Sequence, residues 1–289
     1  MQTVIQQMID RYHSQNIEDK RNAIKEVIQE IVLCGLSKSH FFDEAAFYGG
    51  TALRIFYGLD RFSEDLDFSL LIKNSDFDFV SFFSLLKSTV NSFGLNVDIQ
   101  IKSKTKESSI QSAFLKGDTI EQFLLFYPES DIQGINKNEK IKIKIEIDTN
   151  PPAFATYETR FNLLPVPYSV RLYDESSLFA GKIHAVICRG WQSRIKGRDL
   201  YDYVFFLSHK TKLNLPHLKE RLVESGYISR QDECSLEDVK KMLNQRFSEI
   251  DFDQAKLDVI PFIKDISTID IWSQEFFTSI TTELTVNNE

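Results

Sequence analysis

The chain of 289 residues has room for one large domain or two ordinary ones, and its 42% hydrophobic residues with 24 Phe supply ample core. A net charge of −8 argues against indiscriminate nucleic-acid binding, which needs local positive charge. No apolar run approaches the length of a membrane helix, and the mixed-charge N-terminus is unlike a signal or transit peptide, so the cytoplasm is the expected compartment. Cys34, Cys188 and Cys234 are odd in number and form no C-x-x-C pair, which argues against a disulfide framework or a zinc site. The five histidines are scattered, which speaks against a metal site built on them.

In chain order, Ile24, Val27, Ile28, Ile31 and Val32 fall at helical spacing and predict an amphipathic helix over 22–36. The stretch FFDEAAFYGG reads as a short helix or an extended lead-in to a glycine turn. Gly49 and Gly50 let backbone approach a ligand closely, Thr51 and Arg54 fall in the helix that follows, and Gly58 suits its end. A strand then carries Asp65, Asp67 and Ser69 on one face and Leu66, Phe68 and Leu70 on the other. Two like charges one strand-step apart need a counter-cation, and a divalent metal is the natural one. Free N–H groups at the helix start favour an anion, so turn and strand together suggest a nucleoside triphosphate with magnesium.

Beyond this strand, a helix over 78–92 is expected with Val80, Phe83, Leu86 and Val90 inward, then strands over 95–102, 119–127 and 140–148. In the last, Ile141, Ile143, Ile145 and Ile147 face one way and Lys142, Lys144, Glu146 and Asp148 the other. A salt bridge from Glu146 to Lys144 or Lys142 is its ordinary use. Prolines 151, 152, 165 and 167 suggest a passage between domains, after which the pattern turns helical. Asp174 or Ser176 caps a helix ending near Gly190, and another starts near Arg198, where Arg198 can pair with Asp202. Further helices are expected at 214–225, 236–248, 253–264 and 270–283. Residues 176–198 contain no acid but include Lys182, Arg189, Arg194, Lys196 and Arg198, the one stretch suited to docking a polyanion.

The glycine turn followed by D-x-D resembles the nucleotidyltransferase superfamily typified by DNA polymerase β. The longer string GGTALR…RFSEDLDF, with the later K…R…R-x-K-x-R-D-x-x-D, resembles the AbiEii/AbiGii toxin family within it. The resemblance implies an α/β (α+β) protein: a mixed-sheet nucleotidyltransferase domain over 1–165 with N-terminal helices, and a helical domain over 166–289 that closes the cleft. It implies that Asp65, Asp67 and Glu146 hold Mg2+ or Mn2+, with Asp148 the rival third carboxylate. Gly49, Gly50, Thr51, Arg54, Arg61, Ser63 and Arg198 would bind the nucleotide, and Lys182 the triphosphate. Asp199 or Asp202 would support the site, and Arg189, Arg194 and Lys196 would touch RNA. For Arg54 and Arg61, pairing with Glu64 or Asp60 is the duller use; for the basic stretch it is a solvated face.

The implied reaction moves NMP from an NTP to an acceptor, first of all the 3′ end of tRNA. The implied setting is a toxin paired with an antitoxin, in growth control or phage defence. Three rivals stand beside it: transfer to a protein hydroxyl, a binding module that keeps the fold without chemistry, and modification of a small molecule such as an aminoglycoside.

Overall fold

The computed structural model describes residues 3–14, 16–101, 119–128, 141–190 and 195–287. The chain divides into two compact units: Met1–Ala52, Phe62–Pro151 and Glu158–Leu172 form the first, and Leu53–Arg61, Pro152–Tyr157 and Tyr173–Glu289 the second.

The first unit is organised on α2, Ile17–Lys38, which follows the short α1, Val4–Asp10. Asn16 caps α2 by accepting from Asp19 N at 2.8 Å, and Glu18 and Asp19 complement the dipole of the first turn. The expected apolar stripe is buried, with Ile24, Val27, Ile28, Ile31 and Val32 at most 3% exposed. The lead-in resolves as a 3-10 turn, Phe41–Asp43, and then β1, Ala45–Tyr48; helix α3, Gly49–Tyr57, follows, and then β2, Leu66–Leu70.

Over the next stretch a 3-10 turn, Phe79–Phe82, precedes α4, Phe83–Ser92. This phase change leaves Val80 41% exposed and buries Phe79 in its place, while Leu86 and Val90 point inward as expected. Strands β3, Leu95–Ile101, β4, Thr119–Pro128, and β5, Ile141–Asp148, come next. The proline-flanked passage then holds two strands that the proline pattern obscured, β6, Tyr157–Asn162, and β7, Tyr168–Tyr173. The prolines at 151, 152, 165 and 167 bracket β6 rather than interrupt it.

The seven strands run in the order β3-β4-β5-β2-β1-β7-β6. β1 is antiparallel to β2 and parallel to β7, and β2 is parallel to β5. A mixed sheet results, with α2 and α4 packed together. One face is apolar: Phe47, Phe68 and Ile147 lie in register and are fully buried. Phe41 joins it, its ring 4.9 Å from Phe68 in an edge contact. Each such buried Phe stabilises the fold by about 2–3 kcal/mol.

The second unit is helical: α5, Glu175–Cys188; α6, Gly197–Ser208; α7, Leu215–Glu224; α8, Leu236–Phe247; α9, Phe252–Val259; and α10, Gln274–Thr281. Asp174 caps α5 through Ser177 N at 2.9 Å. The core is aromatic, with Phe179 stacked on Phe206 at 4.7 Å and Tyr203 donating to or accepting from Thr281 Oγ1 at 2.8 Å. Gly197 opens α6 where no side chain fits, since a Cβ there would lie 1.8 Å from Ala255 O. Cys34, Cys188 and Cys234 are free thiols. Among the described residues no helix is long and apolar enough to cross a membrane.

Candidate functional site

The sequence-predicted residues gather into two constellations, one in each unit. In the first unit, the pleat that buries Leu66, Phe68 and Leu70 turns Asp67 to the opposite face, and the same alternation on β5 turns Glu146. The parallel register sets Asp67 directly opposite Glu146, and Tyr48 of β1 opposite Asp67. Tyr48, Asp67 and Glu146 therefore form one row across three strands. Asp148 sits opposite Ser69 instead, and its Oδ1 accepts from Asn150 N at 2.9 Å, which ties it to the turn after β5. Geometry thus favours Glu146 over Asp148 as the partner of Asp67.

Gly49 lies against this row. Its φ of +81° is in the left-handed region, and a Cβ there would meet Asp67 Oδ2 at 2.2 Å. Only glycine permits both the turn and the carboxylate above it. Gly50 is buried in the first turn of α3. Thr51 is fully buried and its hydroxyl donates to the Asp65 carbonyl, which ties the start of α3 to the start of β2. Ser63 and Glu64 are anchored similarly, their carbonyls accepting from Gln29 Nε2 at 3.1 and 2.9 Å.

Asp65, Asp67 and Glu146 are all half-buried, and Lys144 makes a close contact with Glu146, the same-face ion pair that alternation on β5 allows. The donor chemistry suits a hard divalent cation, which takes carboxylate oxygens. Among the described residues, however, no group of three His, Cys, Asp or Glu stands arranged as a metal site. Asp67 and Glu146 stand opposite each other in register, with Lys144 in contact with Glu146.

The second unit carries a buried ion network. Arg61, 3% exposed, grips fully buried Asp202 with both nitrogens, Nε–Oδ1 at 2.6 Å and Nη2–Oδ2 at 2.7 Å. Lys182 Nζ lies 2.6 Å from Asp202 Oδ2 and 3.5 Å from Asp199 Oδ1, and Arg189 Nη2 reaches Asp199 Oδ2 at 2.6 Å. Helical spacing on α6 puts both acids on one face, where α5 and its C-terminal residue deliver Lys182 and Arg189. Burial alone would raise the Asp199 carboxyl, but Lys182 and Arg189 overcome it and hold it below the usual range. Burial would likewise disfavour the Arg61 cation, and Asp202 keeps it charged.

This network corrects two pairings. Arg61 is buried in a two-nitrogen grip on Asp202, and not on Asp60 beside it in sequence. Arg198 does not pair with Asp202; it lies 3.9 Å from Asp258 and stacks over Phe262 at 4.1 Å. Arg54 donates to Leu59 O at 3.0 Å, closing the loop after α3. Lys196 takes the N-cap position of α6. Arg194 falls outside the described residues. Sequence reading missed the Arg61–Asp202 fork because its halves are separated by 141 positions, and no local pattern announces such a contact.

His217 is fully buried and His184 half-buried, and desolvation first and Arg221 second push each down to about 3, so both are neutral. His217 Nδ1 donates to Ala153 O at 2.8 Å while Nε2 accepts from Arg221 at 3.0 Å. Both are structural.

The family described as nucleotidyl transferase AbiEii toxin, type IV toxin–antitoxin system, matches residues 31–277. Among solved structures, the chain is similar to MenT4, a nucleotidyltransferase toxin from Mycobacterium tuberculosis H37Rv, at 15% identity and a TM-score of 0.55, covering 96% of this chain and 90% of that one. It is also similar to JHP933 from Helicobacter pylori, at 18% identity and a TM-score of 0.51, with 90% of each chain covered. At such identities the likeness shows the fold. No individually curated protein matches the sequence. A family match spanning both constellations settles membership: the chain belongs to the AbiEii family of nucleotidyl transferase toxins.

Proposed function

We propose that the protein transfers NMP from an NTP to the 3′ end of tRNA, with release of pyrophosphate. The observation that carries this reading is the register of Asp67 with Glu146 above the Gly49 turn that opens α3. Asp65, Asp67 and Glu146 are the residues to hold Mg2+ or Mn2+, which when bound would neutralise triphosphate charge and acidify the attacking hydroxyl. The backbone N–H groups of Gly49, Gly50 and Thr51, at the free end of a helix, favour the phosphates.

Lys182 is the cation assigned to the developing phosphate charge, since a compact ammonium can serve as a point charge. Asp199 and Asp202 position it. The chemistry needs placement and charge neutralisation above all, so it is consistent with histidines that are neutral. Lys144 must release Glu146 for this reading to hold.

The acid-free stretch 176–198 supports an RNA acceptor. That support is narrowed by the engagement of Arg189 with Asp199 and of Arg198 with Asp258. Family membership supports a toxin with a cognate antitoxin, and we place it in the cytoplasm, in growth control or phage defence.

The test is incubation with total RNA, Mg2+ and each α-labelled NTP, comparing wild type with Asp67→Ala. Label in a tRNA-sized band from wild type alone is the expected result. Label in protein would move the reading to a protein hydroxyl as acceptor, and no label in either would favour a nucleotide-binding module of the same fold.

A further inference from the structure

The second unit contains a cavity of about 270 Å³ that the reaction above does not use. Its floor is apolar: Trp272 is 3% and Phe205 9% exposed, so both rings belong to the wall rather than to solvent. The Tyr201 and Trp272 rings, both in the cavity lining, stand 6.4 Å apart at 55°. At another wall His209 lies 4.2 Å from Phe205, its Nδ1 donating to the Phe205 carbonyl at 2.8 Å.

One charge lines this aromatic space. Asp60 is exposed, and its Oδ1 accepts from Tyr201 OH at 2.6 Å, which fixes the carboxylate beside the ring. Thr268 also hydrogen-bonds Tyr201, and burial followed by the Asp60 carboxylate raises the Tyr201 phenol, keeping it a donor. Among the described residues no Lys or Arg lines the cavity and Asp60 forms no ion pair. A carboxylate has lone pairs to spare after accepting one phenol hydrogen.

Aromatic faces carry negative potential, and with an oriented carboxylate they select a cation with an apolar or planar body. Phosphate is disfavoured, since no Lys or Arg stands among the described lining residues to meet it. The volume is slightly under the range of about 300–1,000 Å³ typical of ligand pockets, which fits a headgroup or one side chain rather than a whole nucleotide. We propose that this cavity is a binding site for an organic cation, an ammonium or guanidinium group, supplied by a free polyamine or by a basic side chain of a protein partner.

Trp272 is its own reporter. The other tryptophan, Trp191, is replaced by Phe, and the fluorescence of the Trp191→Phe protein is followed on titration with spermidine, with glycyl-arginyl-glycine amide, with its citrulline analogue and with AMP. The expected result is a saturable change with spermidine or the arginine peptide and at least about tenfold weaker response to the uncharged citrulline peptide. Asp60→Asn, which keeps an acceptor for Tyr201, should weaken binding by a similar factor. Thr268→Lys, at an exposed rim position, should abolish it by supplying the cation internally, and serves should Asp60→Asn fold poorly. Spermidine alone points to a free amine, and the arginine peptide alone to a protein partner. Equal response to citrulline and arginine, preference for AMP, or full binding by both variants would overturn the proposal.

Discussion

The two charged constellations are built on opposite principles. In the first unit, Asp65, Asp67 and Glu146 are half-buried, and Lys144, itself part-exposed, makes a close contact with Glu146. In the second, Asp199 and Asp202 are almost wholly buried and meet three cations, Arg61, Lys182 and Arg189. A partly hydrated carboxylate pair costs the fold little and remains open to a ligand. A desolvated acid is tolerable only when its partners are fixed, so the second cluster is structure first and positions Lys182 as a consequence.

The largest contrast is expected from Asp67→Ala and Asp202→Ala. Asp67→Ala should lower transfer by at least about 10³-fold, the scale of losing a key charge-stabilising group. Its stability in urea should move by less than about 1 kcal/mol, or improve as repulsion from neighbouring acids is relieved. Asp202→Ala should instead cost about 3–5 kcal/mol of stability, because it strands the buried Arg61 guanidinium. Similar unfolding curves for the two variants would erase the distinction.

Glu30 sharpens it from a third direction. This half-buried carboxyl on α2 accepts from Asn162 Nδ2 at 2.9 Å, and its desolvation, aided by Glu26, raises it to about 7 against an ordinary 4.5. The folded state therefore holds a proton that the unfolded chain releases. Stability from this group is intact below pH 4.5 and falls as pH rises toward 7, by up to about 3 kcal/mol. Glu30→Gln should flatten that part of the pH–stability curve; an unchanged slope would assign it elsewhere. A smaller effect is expected at the glycine turn: Gly49→Ala should cost about 1–2 kcal/mol for the left-handed backbone and displace Asp67, visible as a loss of transfer exceeding the loss of stability.

What the sequence made legible followed from short-range pattern. Alternation in β2 and β5 told which face Asp67 and Glu146 share, and the 3.6-residue stripe of α2 told its buried side. The glycine turn was legible as a backbone requirement, though not that Asp67 itself fills the space above Gly49. Long-range choices were not legible. Arg61 had acids beside it at Asp60 and Glu64, yet folding gives it Asp202, and Asp60 goes to Tyr201. Strands β6 and β7 were hidden because four prolines within 17 residues read as breaking the whole passage, when they bound β6 on both sides. Sequence reading preferred Glu146 to Asp148, but not from strand order, and the register that sets Glu146 opposite Asp67 and Asp148 opposite Ser69 was not legible in it.

The most direct test of the central claim is labelled-nucleotide transfer by Asp67→Asn, run beside an unfolding curve of the same preparation. Asparagine keeps the shape above Gly49 and removes the charge. The account predicts a protein as stable as wild type within about 1 kcal/mol that transfers no label to RNA or protein. Transfer at the wild-type rate by that folded protein would contradict it and remove the carboxylate row from the chemistry.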